Sequence, residues 1–218
     1  MGKLIVFEGI DGSGKSTQFE MMCSKLNDES RQFKRIVFPR YNEPSSALIK
    51  MYLGGDFGDN PDSVNAYAAS SFYAVDRYAS FVQDWRDYYD GGGLILTDRY
   101  TTSNALHQGA KIAEDKRECF FKWLYDYEFN LLGLPSPDAV IFMDIDAEFA
   151  ITRLERRQSE TGTSADIHEK DMAYLKYCSE SGRQAASLFD WHSISCIKSG
   201  VERDTNEIHN EIYKRIFG

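Results

Sequence analysis

One glycine-rich stretch near the N-terminus constrains the fold more than any other: Gly9-Ile10-Asp11-Gly12-Ser13-Gly14-Lys15-Ser16, followed by Thr17. It matches the pattern G-x-x-x-x-G-K-[ST], in which glycines let the backbone turn successive N–H groups onto phosphates. Lys15 would reach the β- and γ-phosphates of a nucleotide, and the Ser16 hydroxyl would hold Mg²⁺. A buried-type apolar run precedes the loop and a helix-compatible segment follows it, as phosphate binding requires. This context favours a phosphate loop over an ordinary structural turn.

Short apolar runs alternate with longer helix-compatible segments along the chain. Strands followed by helices predict right-handed crossovers and a five-stranded parallel sheet flanked by helices on both faces, the three-layer α/β fold of P-loop NTPases. We expect one domain over residues 1–218. The predicted strands are 4–8, 35–38, 94–97, 139–143 and 193–197, and the predicted helices are 18–26, 63–89, 115–132, 148–157, 170–190 and 206–217.

The composition narrows the class of protein. A net charge of −9 disfavours a nucleic-acid surface, which needs a basic footprint, but permits a nucleotide bound by a local cluster of cations. The four cysteines are scattered, so we expect reduced thiols and a cytoplasmic location, without a zinc or disulfide framework. The first strand begins at the N-terminus and no apolar run approaches 20 residues, so we expect neither a signal peptide nor a membrane segment.

A second informative site follows the third predicted strand. In parallel sheets of this kind, ligands gather at the carboxyl ends of the strands, so Glu8, Arg40, Asp98 and Asp144 are expected to face one crevice. An acid at such a strand end is suited to hold the Mg²⁺ of a phosphate-loop enzyme, together with Ser16. Directly after Asp98, an arginine could form paired bonds to a second phosphate.

Several segments together resemble those of one known family, in that family's order along nearly the whole chain. They are 7–17, Phe38-Pro39-Arg40, Tyr73-Ala74-Val75-Asp76-Arg77, Asp98-Arg99-Tyr100, Ser103-Asn104, Gln108-Gly109 and the run 133–138. The family they resemble is the thymidylate kinases, which are nucleoside monophosphate kinases. The resemblance implies ATP and dTMP as substrates, Mg²⁺ as cofactor and a homodimer, whose interface could use the aromatic segment 63–89.

For the acceptor base, the resemblance implies that Tyr73 stacks on thymine and that Arg77 donates to a thymine carbonyl. The i, i+4 spacing places both on one helix face, where a core tyrosine is common but a core arginine is not. Asn104 and Gln108 would lie near the base and sugar.

For the rest of the nucleotide, the resemblance implies that Asp11 binds the sugar 3′-hydroxyl and that Arg40 and Arg99 grip the monophosphate. Glu8 would orient one of these arginines or a metal-bound water. At His107, relatives usually place Tyr or Phe, which helps to exclude a 2′-hydroxyl, so the discrimination between deoxyribose and ribose is open here.

Some relatives carry an arginine within the phosphate loop, at the position of Gly12. Glycine lacks this charge, so we expect it to come from a lid at about 153–168. Arg153, Arg156 and Arg157 are the candidates, with Arg153 and Arg157 in catalytic roles and Arg156 toward ATP. For each of the three, cations that favour a helix C-terminus are the alternative explanation.

Two other classes of function stay open. One is a kinase for another nucleoside monophosphate or a deoxynucleoside, although Arg40 and Arg99 favour a phosphorylated acceptor. The other is a non-catalytic ATP-binding regulator or a GTP-dependent switch. No Asn-Lys-x-Asp guanine motif occurs in the chain, which counts against the switch.

Overall fold

A five-stranded parallel sheet organises the computed structural model, which describes residues 1–161 and 172–218. Its strands are β1 (Lys3–Glu8), β2 (Lys34–Val37), β3 (Leu94–Asp98), β4 (Ala139–Asp144) and β5 (His192–Ser195). They lie in the order β2-β3-β1-β4-β5, and all neighbours run parallel, so the predicted parallel sheet is confirmed. Strand β1 lies in the middle, and its residues Leu4 to Phe7 are completely buried, as four consecutive apolar residues predict.

Helices cover both faces of this sheet. The helices are α1 (Lys15–Asp28), α2 (Ala47–Gly54), α3 (Ala66–Ser80), α4 (Arg86–Asp90), α5 (Thr102–His107), α6 (Arg117–Tyr125), α7 (Ala147–Thr161), α8 (Met172–Leu188) and α9 (Thr205–Phe217). The chain moves in one direction from β1 to β2 and in the other from β2 to β5, so right-handed crossovers place α1 on one face and the helices between β2 and β5 on the other. Accordingly α1 packs with α9, whereas α5, α6 and α8 pack together.

Two predicted helices are shorter than expected. Asn65 caps α3 by accepting a hydrogen bond from the N–H of Ala68 at 2.9 Å, so that helix begins at Ala66 instead of residue 63. The same segment is interrupted by a π-helical turn at Phe81–Trp85. The other shortened helix is the one predicted at 115–132, where α6 is followed directly by a second π-helical turn at Asp126–Leu131. The short helices α2 and α5 were not predicted, because six to eight residues carry little periodicity.

The last predicted strand also needs correction. Strand β5 ends at Ser195, where the N–H of Cys196 still donates to the carbonyl of Asp144 at 2.8 Å. Ile197–Lys198 (β6) then pairs antiparallel with Val201–Glu202 (β7).

The carboxyl ends of β1, β2 and β3 meet at one edge of the sheet. In the strand register, Asp98 lies beside Phe7 on one side and Val37 on the other. The segments that follow these three strands are therefore neighbours, although they are far apart in the sequence. Within the described ranges, no helix has the length and apolarity that crossing a membrane requires.

Candidate active site

The phosphate loop has the backbone that its glycines predict. Gly12 and Gly14 have φ of 80° and 86°, which is the left-handed region that L-residues avoid, and α1 starts immediately after Gly14. A Cβ atom at Gly12 would lie 2.3 Å from the carbonyl oxygen of Ala150 on α7. The arginine that some relatives carry at this position could not enter this loop without displacing α7.

Lys15, Ser16 and Asp98 form a cluster at the start of α1. The ammonium group of Lys15 pairs with Asp98 Oδ1, and the Ser16 hydroxyl donates to Oδ2 at 3.3 Å. Burial lowers the pKa of Lys15, the nearby charge of Arg99 lowers it further, and Asp98 partly offsets both. A phosphate group arriving here would give the buried ammonium group a second anionic partner.

Arg99 is held in a strained position above the end of β1. Its φ of 68° costs about 1–3 kcal/mol for a residue other than glycine. Two hydrogen bonds hold this backbone: its N–H donates to the carbonyl of Phe7 at 3.0 Å, and the Thr97 hydroxyl donates to its carbonyl at 2.8 Å. Burial alone would lower the pKa of Arg99, but Asp11, Glu8 and the neighbouring acid of β3 raise it. A permanently charged guanidinium therefore lies between the phosphate loop and α5.

Glu8 lies close to this arginine, as one of its two predicted roles requires. The buried carboxylate accepts hydrogen bonds from Thr102 at 2.8 Å, Ser103 at 2.7 Å and the N–H of Gly9 at 2.9 Å. Its Oε1 lies 3.5 Å from Nη1 of Arg99. These donors compensate the buried charge and fix the carboxylate beneath the guanidinium.

Two adjoining cavities open at this edge of the sheet. The first, the donor cavity, is lined by residues 10–17 of the phosphate loop, with Asp98 and Arg153. The second, the acceptor cavity, is lined by α3 and α5 and contains six of the predicted substrate residues beyond the loop: Tyr73, Arg77, Arg99, Asn104, His107 and Gln108. Asp11 and Arg99 line both cavities, together with Phe38, Pro39 and Tyr41.

Gln108 gives the acceptor cavity an unusual polar group. Its side chain is completely buried, and neither its amide nitrogen nor its amide oxygen has a hydrogen-bond partner among the described residues. Such a group costs about 1–3 kcal/mol when it stays unpaired, so a ligand with one donor and one acceptor would relieve the cost.

Arg77 reaches the acceptor cavity from α3, but its main hydrogen-bond partner, Glu128, lies outside the cavity lining. Its Nε and Nη2 donate to Glu128 at 2.6 Å each, and Nη1 donates to the carbonyl of Tyr100 at 3.3 Å. A guanidinium has five N–H groups, so two stay available to a ligand. The helical face that buries Phe120, Phe121 and Leu124 continues to Glu128, and an acid on such a face was the signal that sequence reasoning missed.

Arg40 does not line either cavity in this state. Its Nε donates to Asp76 Oδ1 at 3.3 Å, and its Nη2 donates to the Ser45 hydroxyl at 3.1 Å and to the carbonyl of Asp76 at 3.3 Å. Ser45 and Asp76 therefore hold this guanidinium at the rim of the crevice.

The lid arginines lie in three different situations. Arg153 donates to the carbonyls of Gly12 at 3.3 Å and Ser13 at 3.1 Å, and it pairs with Glu202 of β7. Arg156 is exposed and lines neither cavity. The Arg157 side chain and residues 162–168 of the expected lid lie outside the described residues.

His107 connects the acceptor cavity with α8. Its Nε2 lies 3.1 Å from Nη1 of Arg99, and its Nδ1 lies 3.6 Å from the buried Cys178 thiol. The Tyr174 hydroxyl on α8 donates to its carbonyl at 2.6 Å, a contact that sequence reasoning missed. Asp144, in contrast, turns away from the crevice, because Arg183 of α8 pairs with it at 2.8 Å.

The donor set at the start of α1 fits a divalent cation such as Mg²⁺. The Ser16 hydroxyl and the Asp98 carboxylate supply hard oxygen ligands at adjacent positions. Nowhere in residues 1–161 and 172–218 do three His, Cys, Asp or Glu side chains come together as a metal site. Two protein oxygens are typical for Mg²⁺, which usually completes its coordination with waters and substrate phosphates.

Comparisons with known proteins agree with this geometry. A family model described as thymidylate kinase matches residues 7–212. A thymidylate kinase of Mycobacterium tuberculosis is 34% identical over 170 residues, covering 77% of this chain and 78% of that protein. One from Prochlorococcus marinus is 28% identical and covers 99% of this chain and 98% of the relative. In fold, the chain is similar to the solved thymidylate kinase of Candida albicans, with a TM-score of 0.71 at 22% identity over 99% of this chain and 91% of that one. The chain belongs to the thymidylate kinase family.

Proposed function

We propose that this protein transfers the γ-phosphoryl group of ATP to dTMP, giving dTDP and ADP. One observation carries the proposal: a phosphate-loop cavity and a base-sized polar cavity adjoin, and they share Asp11 and Arg99. Such an arrangement brings two nucleotides together by their phosphates. Family membership supports the same reaction.

ATP would bind with its phosphates in the donor cavity. The N–H groups of the loop and of the first turn of α1 would face the phosphates, and Lys15 would approach the β- and γ-phosphates. Ser16 and Asp98 would hold Mg²⁺, which neutralises charge on the β- and γ-phosphate oxygens when it is bound.

dTMP would occupy the acceptor cavity. Tyr73 would stack on the thymine ring, the two remaining N–H groups of Arg77 would reach a ring carbonyl, and the unpaired amide of Gln108 would meet a donor–acceptor edge of the base. Asn104 would lie beside them. Asp11 would accept from the sugar 3′-hydroxyl.

The chemistry needs positioning more than acid–base catalysis. An oxygen of the dTMP phosphate attacks the γ-phosphorus while the bond from that phosphorus to the β,γ-bridging oxygen breaks, and ADP keeps that electron pair. Arg99, at the junction of the cavities, would bind the acceptor phosphate, and Arg40 would turn toward it from the rim. Lys15 and an arginine from the lid would stabilise the charge that develops between the two nucleotides.

We further propose that two copies associate through α3. Tyr67, Val75, Tyr78 and Val82 follow helical spacing along one face of α3 and the turn after it, and they are 42–51% exposed. Sedimentation equilibrium should give twice the chain mass, and a Val75→Glu change should shift it toward the monomer. A wild-type monomer at micromolar concentration would contradict the dimer.

The four free thiols favour a cytoplasmic location.

The deciding assay measures ADP release from ATP·Mg²⁺ with a panel of nucleoside monophosphates and with thymidine. We expect rapid turnover with dTMP and little with dCMP, dAMP or thymidine. Turnover with thymidine would identify a deoxynucleoside kinase. ATP binding without ADP release in the presence of any acceptor would sink the proposal and favour the non-catalytic ATP-binding regulator.

A further inference from the structure

Glu128 is a buried acid that no part of the proposed reaction uses directly. It is completely buried and does not line either cavity. Its Oε2 accepts from Arg77 at 2.6 Å and from the Thr101 hydroxyl at 2.7 Å, and its Oε1 accepts from Arg77 at 2.6 Å and from Asn104 at 3.4 Å. The carboxylate therefore ties α3 and the start of α5 to the turn that follows α6.

Stability alone does not account for this arrangement. Removing a carboxylate and a guanidinium from water costs several kcal/mol per ion, and apolar pairs of similar volume often stabilise a fold as well. A paired geometry, however, fixes the plane and direction of an arginine more firmly than any single contact. Here the arginine and Asn104 line the acceptor cavity, and their shared partner lies behind them.

The fixed arginine has a chemical consequence for the ligand. A guanidinium has only donors, so its two remaining N–H groups can donate to a ring carbonyl but cannot bond to the N–H groups of an amino substituent. Thymine presents a carbonyl at the ring position where cytosine presents an amino group. An arginine free to rotate could withdraw from an amino group, and it would then discriminate less.

We propose that Glu128 is a positioning residue that sets base specificity, because it fixes Arg77 against the acceptor base. The proposal rests on dTMP occupying the acceptor cavity. In Glu128→Gln, one carboxylate oxygen becomes an amide N–H₂ that faces a donor, so the paired geometry is lost at nearly constant volume.

The test compares Glu128→Gln, Arg77→Ala and the double variant, with Glu118→Gln as the matched control. Glu118 is an exposed acid on α6 that pairs with Lys122. We measure kcat and KM for dTMP and ATP, the ratio of kcat/KM for dCMP to that for dTMP, and Tm. Wild-type turnover with dTMP is established first, so failure of the proposed function is recognised separately.

We expect Glu128→Gln to raise KM for dTMP about tenfold or more, to leave KM for ATP within about twofold and to raise the dCMP:dTMP ratio. The double variant should bind dTMP no worse than Arg77→Ala, because both changes act through one side chain. A lower Tm with an unchanged dTMP KM and base ratio would overturn the proposal, and so would additive effects. If Glu128→Gln does not fold, Thr101→Val decides. Thr101→Val removes one donor from Glu128 Oε2. If this variant leaves KM for dTMP and the dCMP:dTMP ratio unchanged, the positioning role of Glu128 is contradicted.

Discussion

Replacement of Arg153 by alanine should loosen the phosphate loop. The Arg153 guanidinium donates to the carbonyls of Ser13 at 3.1 Å and Gly12 at 3.3 Å, on the side of the loop where α7 lies. A hydrogen bond from a charged donor contributes about 1.5–3 kcal/mol. Because the contact with Gly12 is long and the Arg153 side chain is 19% exposed, we assign about 1.5–3 kcal/mol to the two hydrogen bonds together. This corresponds to a fall of about 10–100-fold in kcat/KM for ATP.

The assay is steady-state ADP release at saturating dTMP with ATP varied. Glu202→Gln is the matched control, since it removes the partly exposed ion pair but leaves both loop contacts in place. Its kcat/KM should stay within about threefold of the parent. If Arg153→Ala keeps kcat/KM for ATP within a few-fold, the loop does not depend on this contact and the reasoning is wrong. The proposal that a lid arginine stabilises the developing charge predicts a larger effect. At least one alanine substitution at Arg153, Arg156 or Arg157 should lower kcat by about 10² or more.

Three further predictions follow from the same geometry. Lys15→Ala should nearly abolish turnover and leave the circular dichroism spectrum unchanged, and near-parental turnover would remove the phosphate loop from the mechanism. Gly12→Ala should lower Tm and weaken ATP binding together, because the new Cβ would lie 2.3 Å from the Ala150 carbonyl oxygen. An unchanged Tm would contradict this, since it would mean that α7 moves aside without loss of stability. Burial lowers the pKa of Lys111 to about 8, from an ordinary value of 10.5. Between these values the unfolded chain binds the extra proton, so denaturant-measured stability should rise with pH there relative to Lys111→Met, and parallel curves would contradict this.

Local sequence patterns were sufficient for the sheet and for the phosphate loop. Four consecutive apolar residues predict a buried strand, and the glycines at 12 and 14 predict the left-handed backbone that the loop adopts. Both signals work because they depend on neighbours in the chain: a strand's burial shows in its own residues, and a positive φ shows in the residue that tolerates it. The i, i+4 spacing likewise predicted that Tyr73 and Arg77 share a helix face, and both line the acceptor cavity.

The partners of the charged residues depended on the tertiary structure. Arg77 pairs with Glu128 across 51 positions, Arg40 contacts Asp76 across 36, and Arg153 reaches the carbonyl of Ser13 across 140. No local pattern encodes such pairs, because a charge can be solvated anywhere on the surface and acquires a specific partner only when packing removes water around it. The sequence identified which cations to consider, and the packing of the helices determined what each of them holds.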